Sequence, residues 1–183
     1  MLNKMDLENL AKDLTIFRNH HYKTKKQIVL FVCGKSIDDQ KSGRSFLSKA
    51  LEKDKRIKLA SPEILFEGLL TGQTENSLLE FENILAQSVD GIILLPESPG
   101  SFTELGAFVS NEELRKRLIC IADLAYKRKK SFINHGPLRL IKKSKYGKVI
   151  DFDYKNFASV DEVEKLVQKI KRSIKTSITK ESR

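Results

Sequence analysis

The sequence predicts an α/β protein built on an open, doubly wound parallel sheet of Rossmann-like type, with helices on both faces. Three observations predict it. Gln27–Cys33 (QIVLFVC), Val89–Leu95 (VDGIILL) and Leu118–Ala122 (LICIA) are short, almost continuous apolar runs, as expected of strands covered on both sides. Segments with helical spacing alternate with these runs. The chain has 183 residues, 40% of them hydrophobic, which suits one domain with a real core.

The elements follow in order. Met5 to Phe17 carries Leu7, Leu10, Ala11, Leu14 and Phe17 at helical spacing, so an N-terminal helix is expected over about residues 4–18. A basic connector, His20 to Lys26, leads into the first strand, which Gly34 ends. Ser42 to Lys53 is expected to be helical, Ile57 to Ala60 a short second strand, and Ser61-Pro62 a break. Asn76 to Ser88 reads as a helix with Leu78, Leu79, Leu85 and Ala86 inward. The Val89–Leu95 strand stops at Pro96-Glu-Ser-Pro-Gly100, and Ser101 to Leu114 is expected to be helical. After the Leu118 strand come a basic segment with a turn at Gly136-Pro137 and a last short strand near Val149-Ile-Asp-Phe152. A terminal helix is expected over about residues 159–175, with Ser159 and Glu162 at capping-box spacing. Its stripe is Val160, Val163, Leu166, Val167, Ile170 and Ile174, and the polar tail beyond should fray. One domain is expected over residues 1–183.

Composition removes several functions. No apolar run approaches the roughly 18 residues of a membrane span, and MLNKMDLENLAKDL has no signal-peptide core. A cytoplasmic protein without membrane contact is expected. Cys33 and Cys120 each close an apolar run and read as buried thiols in a reducing compartment. No Cys/His group has metal-ligand spacing, so neither a metal nor a cofactor is expected. The formal charge is +10. Arg115 to Lys148 holds twelve Lys/Arg and one acid, Asp123, leaving 22 basic and 23 acidic residues elsewhere. An excess confined to one segment suggests an anion-facing surface. Within it Lys127, Arg128, Lys129 and Lys130, and Lys142 and Lys143, with Tyr126, Phe132 and Tyr146 interleaved, suit phosphate contact and base stacking. The alternative is a solvated surface with snorkelling lysines.

The chemistry concentrates in Pro96-Glu-Ser-Pro-Gly-Ser-Phe-Thr-Glu-Leu-Gly106, which follows a buried strand and opens a helix. In doubly wound sheets ligands bind beyond the carboxyl ends of the strands. Here those ends are Cys33-Gly34-Lys35-Ser36 and Leu95 onward. Gly100 allows close approach to the backbone, and amides around Ser101 to Thr103 face an anion favoured by the helix dipole. Glu104, placed in the first turn, can hydrogen-bond ribose hydroxyls, or attack or stabilise an oxocarbenium-like carbon. The alternative is structural: Ser101-x-x-Glu104 is itself a capping box. Arg44 suits a phosphate at the first helix start, and Glu82 and Asn83 precede the second buried strand by one turn; ordinary surface polarity is the competing reading for all three. Glu97 reads as a turn residue, or else as a second carboxylate near Glu104. Asp90 lies at the wrong end of its strand for the cleft.

Pro96 to Glu104 resembles the P-G-G-x-G-T-x-x-E fingerprint of the lysine-decarboxylase-like phosphoribohydrolases, with Glu97 and Ser98 replacing the two middle glycines and Ser101 standing for Thr. Glu104-Leu-Gly-Ala107 resembles the helix start of nucleoside 2-deoxyribosyltransferases, in which the glutamate is the nucleophile. A wider array resembles the deoxyribosyltransferase-like effectors encoded beside bacterial retrons, in order and spacing over about residues 28–137. It comprises Phe31-Val-Cys-Gly34, Arg44, Pro62-Glu63, Asn76 to Ala86, Ser98 to Phe108 and Ser131-Phe-Ile-x-x-Gly-Pro137. That resemblance implies a deoxyribosyltransferase-like fold with Glu104 catalytic. It also implies substrate contacts from Gly34, Glu82, Asn83, Ser98, Pro99, Gly100 and Ser101, with Arg44 beside them.

The activity implied is an antiphage toxin that cleaves the N-glycosidic bond of a nucleotide, nucleoside or NAD-like substrate, restrained by a retron reverse transcriptase and its RNA–DNA product. Members of that family often carry a DNA-binding winged helix after this domain, and this chain is expected to lack one. A homo-oligomer or complex subunit is expected. The rival expectation is a non-catalytic nucleotide-sensing or nucleic-acid-docking subunit of a defence complex.

Overall fold

A computed structural model describes residues 27–36, 38–60 and 86–181, with side chains as far as residue 175. The expected N-terminal helix, the Ser61-Pro62 break, Pro62-Glu63, and Glu82 and Asn83 lie outside the described residues. Five parallel strands form one sheet in the order β2-β1-β3-β4-β5, namely β1 (Ile28–Cys33), β2 (Ile57–Ala60), β3 (Gly91–Leu94), β4 (Leu118–Asp123) and β5 (Lys148–Phe152). The Rossmann-like α/β fold expected from the alternating pattern is the fold observed. Each strand falls within a residue or two of its apolar run.

The period-2 geometry of a strand sends alternate residues to opposite faces, and helices cover both. On one face Phe31, Cys33, Ile92, Leu94 and Cys120 pack against Leu105, Phe108 and Val109 of helix α2 (Pro99–Ser110), Leu114 of α3 (Glu112–Arg117) and Leu138 and Ile141 of α5 (Pro137–Lys143). On the other, Leu30, Val32, Ile93, Ile119 and Ile121 pack against Leu47 and Leu51 of α1 (Gly43–Glu52) and Val163, Leu166, Val167, Ile170 and Ile174 of α6 (Val160–Glu181). The stripe read from the terminal segment is buried from Val163 to Ile174, whereas Val160, at the first position of the helix, is 63% exposed and lies outside it. A short helix α4 (Phe132–His135) precedes α5.

Three local readings change. The helix expected from Ser101 to Leu114 begins at Pro99 and breaks at Asn111, whose side chain accepts from the Glu113 and Leu114 amides and caps α3. The Gly136-Pro137 turn joins two helices, because Pro137 serves as a first-turn residue of α5. The terminal helix runs on to Glu181 in its backbone, past the point where fraying was expected. Among the described residues no helix is long and apolar enough to cross a membrane, and no group of His, Cys, Asp or Glu is arranged to hold a metal ion.

Candidate functional site

The order β2-β1-β3 makes the gap between the carboxyl ends of β1 and β3 the switch point of the sheet. From β1 the chain passes to α1 on one face, and from β3 it passes to α2 on the other. Two helix N-termini thus diverge from neighbouring strand ends and leave a crevice between them.

Glu97 spans that crevice. Its backbone N–H donates to the Leu95 carbonyl at 2.9 Å and to Ser101 Oγ at 3.0 Å. Its carboxylate reaches the opposite wall. Oε1 accepts from the Lys35 amide at 3.0 Å and the Arg44 amide at 3.1 Å, and Oε2 accepts from the Gly43 amide at 3.0 Å. Neither sequence reading of Glu97, a turn residue or a second carboxylate near Glu104, includes these contacts; its partners lie 53 to 62 residues away, beyond local pattern. A glycine is needed opposite, since a Cβ on Gly34 would stand 2.7 Å from Glu97 Oε1 and 3.0 Å from the Arg44 Cβ.

The loop after Glu97 is held by its own hydroxyls. Ser98 is the N-cap of α2 and its side chain accepts from the Ser101 amide, while Ser101 Oγ accepts from the Ser98 amide at 2.9 Å. The capping box is therefore Ser98–Ser101, not Ser101–Glu104. Pro99 has no N–H, the Ser101 N–H goes to Ser98 Oγ and the Phe102 N–H to the Ser98 carbonyl, so the Ser101 and Phe102 amides expected to face an anion are instead spent on the helix cap. Gly100 is exposed, and a Cβ there would meet nothing within 4 Å. The ligand approach expected over Gly100 has room.

Because α2 starts at Pro99, Glu104 lies in the second turn rather than the first. It is half-buried at the margin of the packed face formed by Ser101, Leu105 and Phe108, and its Oε2 is shut off from solvent. Arg44 is no solvated helix residue: it is 6% exposed, and its guanidinium approaches the Lys35 carbonyl at 3.5 Å. Gly34, Arg44, Ser98, Pro99, Gly100 and Ser101 thus share the loops and first turns of one sheet edge, with Glu104 one turn further along α2. A hollow of about 170 Å³ lies elsewhere, between α1 and α6, lined by Phe46, Ala50, Phe157 and Val163. Its apolar walls carry none of these groups.

The basic segment divides in two. Lys127, Arg128, Lys129 and Lys130 follow the carboxyl end of β4, so they lie at the same edge as the crevice. All four are exposed, Lys127 pairs with Asp151 at 2.9 Å, and Lys129 stands 4.3 Å over the Tyr126 ring. Asn134 Nδ2 ties this turn by donating to the Tyr126 and Lys129 carbonyls, and Phe132 is 84% exposed beside it. Lys142 and Lys143 close α5 just before β5 begins, which places them at the opposite edge. Arg115 and Arg117 serve the fold, donating to the Val109 carbonyl and to the Gln87 and Val89 carbonyls. Asp90 binds across the strand entrances, its Oδ2 accepting from the Val29 amide at 2.8 Å, away from the crevice.

Comparison with known proteins gives these features a setting. The model of the family described as "STM3845 retron effector protein" matches residues 40–183. An Escherichia coli protein named "Retron Ec86 putative ribosyltransferase/DNA-binding protein" is 55% identical over 117 residues, which cover 64% of this chain and 38% of that protein. Its Escherichia coli counterpart of the same name for retron Ec73 is 35% identical over 105 residues, covering 56% of this chain and 33% of that protein. The chain therefore matches well under half the length of these relatives. The matched family segment takes in α1, the crevice loop with Glu97 and Glu104, and every element after them; on that ground the chain belongs to the STM3845 retron effector family.

Proposed function

We propose that the chain is an effector of antiphage defence that cleaves the N-glycosidic bond of a nucleotide, nucleoside or NAD-like substrate. The observation that carries this reading is Glu104, a half-buried residue on the helix that leaves the switch point, one turn beyond an open Gly100 backbone. The ribosyltransferase name of the two relatives supports it. The ribose enters over Gly100, whose N–H holds a sugar or phosphate oxygen. Glu104 engages C1′ as its bond to the base nitrogen breaks. The base leaves with the bonding electrons and takes up a proton, and a water oxygen completes the bond to C1′ after losing its own proton.

The test is an incubation of the protein with NAD, deoxynucleosides and nucleoside monophosphates, following the free base. Wild type is expected to release base, and Glu104→Gln to slow release by about 100-fold or more. Equal release from both, or none from wild type under activating conditions, rejects the mechanism.

A second reading rests on the other group at this edge. Lys127 to Lys130 with Tyr126 and Phe132 form a basic, aromatic surface suited to a nucleic-acid strand. On this reading the domain senses a nucleotide in the crevice, and docks to a retron reverse transcriptase and its RNA–DNA product without catalysis. Calorimetry separates the two: saturable nucleotide binding with no product supports the sensor.

A further inference from the structure

The Glu97 carboxylate takes no part in the reaction above, yet it occupies an anion-attracting spot at the crevice. It rests on the first two amides of the ten-residue helix α1 and on one loop amide. Successive backbone N–H groups at the positive end of a helix are the cradle in which switch-point folds hold a phosphate. This chain fills the cradle from within, and the filling is complete. The next amide of α1, that of Ser45, is taken by Ser42 Oγ at 3.1 Å. A Cβ on Gly34 would collide with the Glu97 carboxylate, so the oxygen sits where a larger residue would not admit it. Glu97 is also pinned at its own backbone by Ser101 and Leu95, so the plug is held from both walls.

We infer that Glu97 is a specificity-determining residue that bars phosphate from the β1–α1 loop. A phosphate arriving there meets occupied donors and a like charge. The crevice therefore takes the sugar and base of a nucleoside moiety, with any phosphate directed away from α1. This rests on reading the crevice as a nucleoside site, but its test needs no turnover.

Inorganic phosphate is the probe, compared with chloride at matched ionic strength, on wild type and Glu97→Ala. Two readouts are followed: thermal unfolding, and the amide resonances of Lys35, Gly43 and Arg44. Glu97→Ala is expected to be less stable than wild type in chloride and to regain stability in phosphate. Its phosphate affinity should exceed that of wild type by about tenfold or more, the scale of one or two charge-assisted hydrogen bonds. The three amides should move on titration in the variant and stay still in wild type. A variant that gains no more from phosphate than wild type, or wild-type amides that titrate equally, overturns the inference. Should Glu97→Ala fail to fold in chloride, refolding is compared in the two salts: recovery in phosphate supports the cradle, and equal failure in both overturns it. Glu104 is intact throughout, so a failure here is distinct from a failure of base release.

Discussion

The Ser101 hydroxyl shows how closely residue chemistry and loop shape are tied here. It is 1% exposed and lies within 3.1 Å of the Glu97 and Ser98 amides, the Ser98 carbonyl and Ser98 Oγ. A hydroxyl has one proton to give and two lone pairs, and these neighbours use all of them. Ser101→Ala is expected to lower stability by about 1–2 kcal/mol in urea unfolding, the usual range for a lost cap. The cysteines behave as their sequence setting suggests: both are buried and neither is in a disulfide, and burial pushes the Cys120 thiol up to about 12. Since the thiolate is the reactive form, a thiol reagent is expected to label neither cysteine in the native protein and both in denaturant. Labelling of Cys120 under native conditions would contradict its packing. At this scale the sequence singled out Glu104 as a candidate through its spacing from the loop, whereas the contacts of Glu97 were hidden because three amides from a distant segment make them.

At the scale of elements, the corner between α1 and β2 is fastened to α6 by charge. Asp54 meets Arg56 at 2.8 Å and Lys171 at 2.7 Å, and these hydrogen bonds, Arg56 first and Lys171 next, hold its carboxyl well below the ordinary value of 3.8. A carboxylate whose folded pKa is depressed stabilises the fold above its unfolded pKa, and that contribution is lost as pH falls through the lower folded value. Wild type is therefore expected to be more stable than Asp54→Asn near neutrality, and the gap to shrink progressively below about pH 4. Denaturant unfolding of both proteins across that range checks it. The three central strands, β1, β3 and β4, were legible because burial on both faces leaves an unbroken apolar run, whereas the edge strands β2 and β5 are shorter on apolar residues and only partly buried. The helix starts were legible only in part. Ser98-Pro99 carries a cap followed by a first-turn proline, and Asn111-Glu-Glu113 carries a cap followed by acids, but both signals lie inside a pattern that reads as one longer helix. The α4–α5 pair was missed because Leu138 and Ile141 are its only fully buried apolar residues in a strongly basic stretch.

At the scale of the whole molecule, a basic run that is continuous in sequence becomes two separate patches. The parallel topology sends Lys127 to Lys130 to the crevice edge and Lys142 and Lys143 to the far edge. Sequence order could not show this, because the separation arises when the chain descends through α4 and α5 to begin β5. Charge reversal at Lys127 to Lys130 is expected to weaken binding of a single-stranded oligonucleotide and to flatten its salt dependence by about 0.7 for each phosphate no longer neutralised. Reversal at Lys142 and Lys143 is expected to do less; filter binding over a salt series reads both. The Glu97 bridge has a mechanical counterpart. Because one side chain crosses from the β3 loop to the start of α1, the two walls of the crevice are braced together before any guest arrives. Such a brace lets recognition proceed with little reordering of the host, so cutting it should appear chiefly as a larger entropic penalty in calorimetry, even for guests that never touch Glu97.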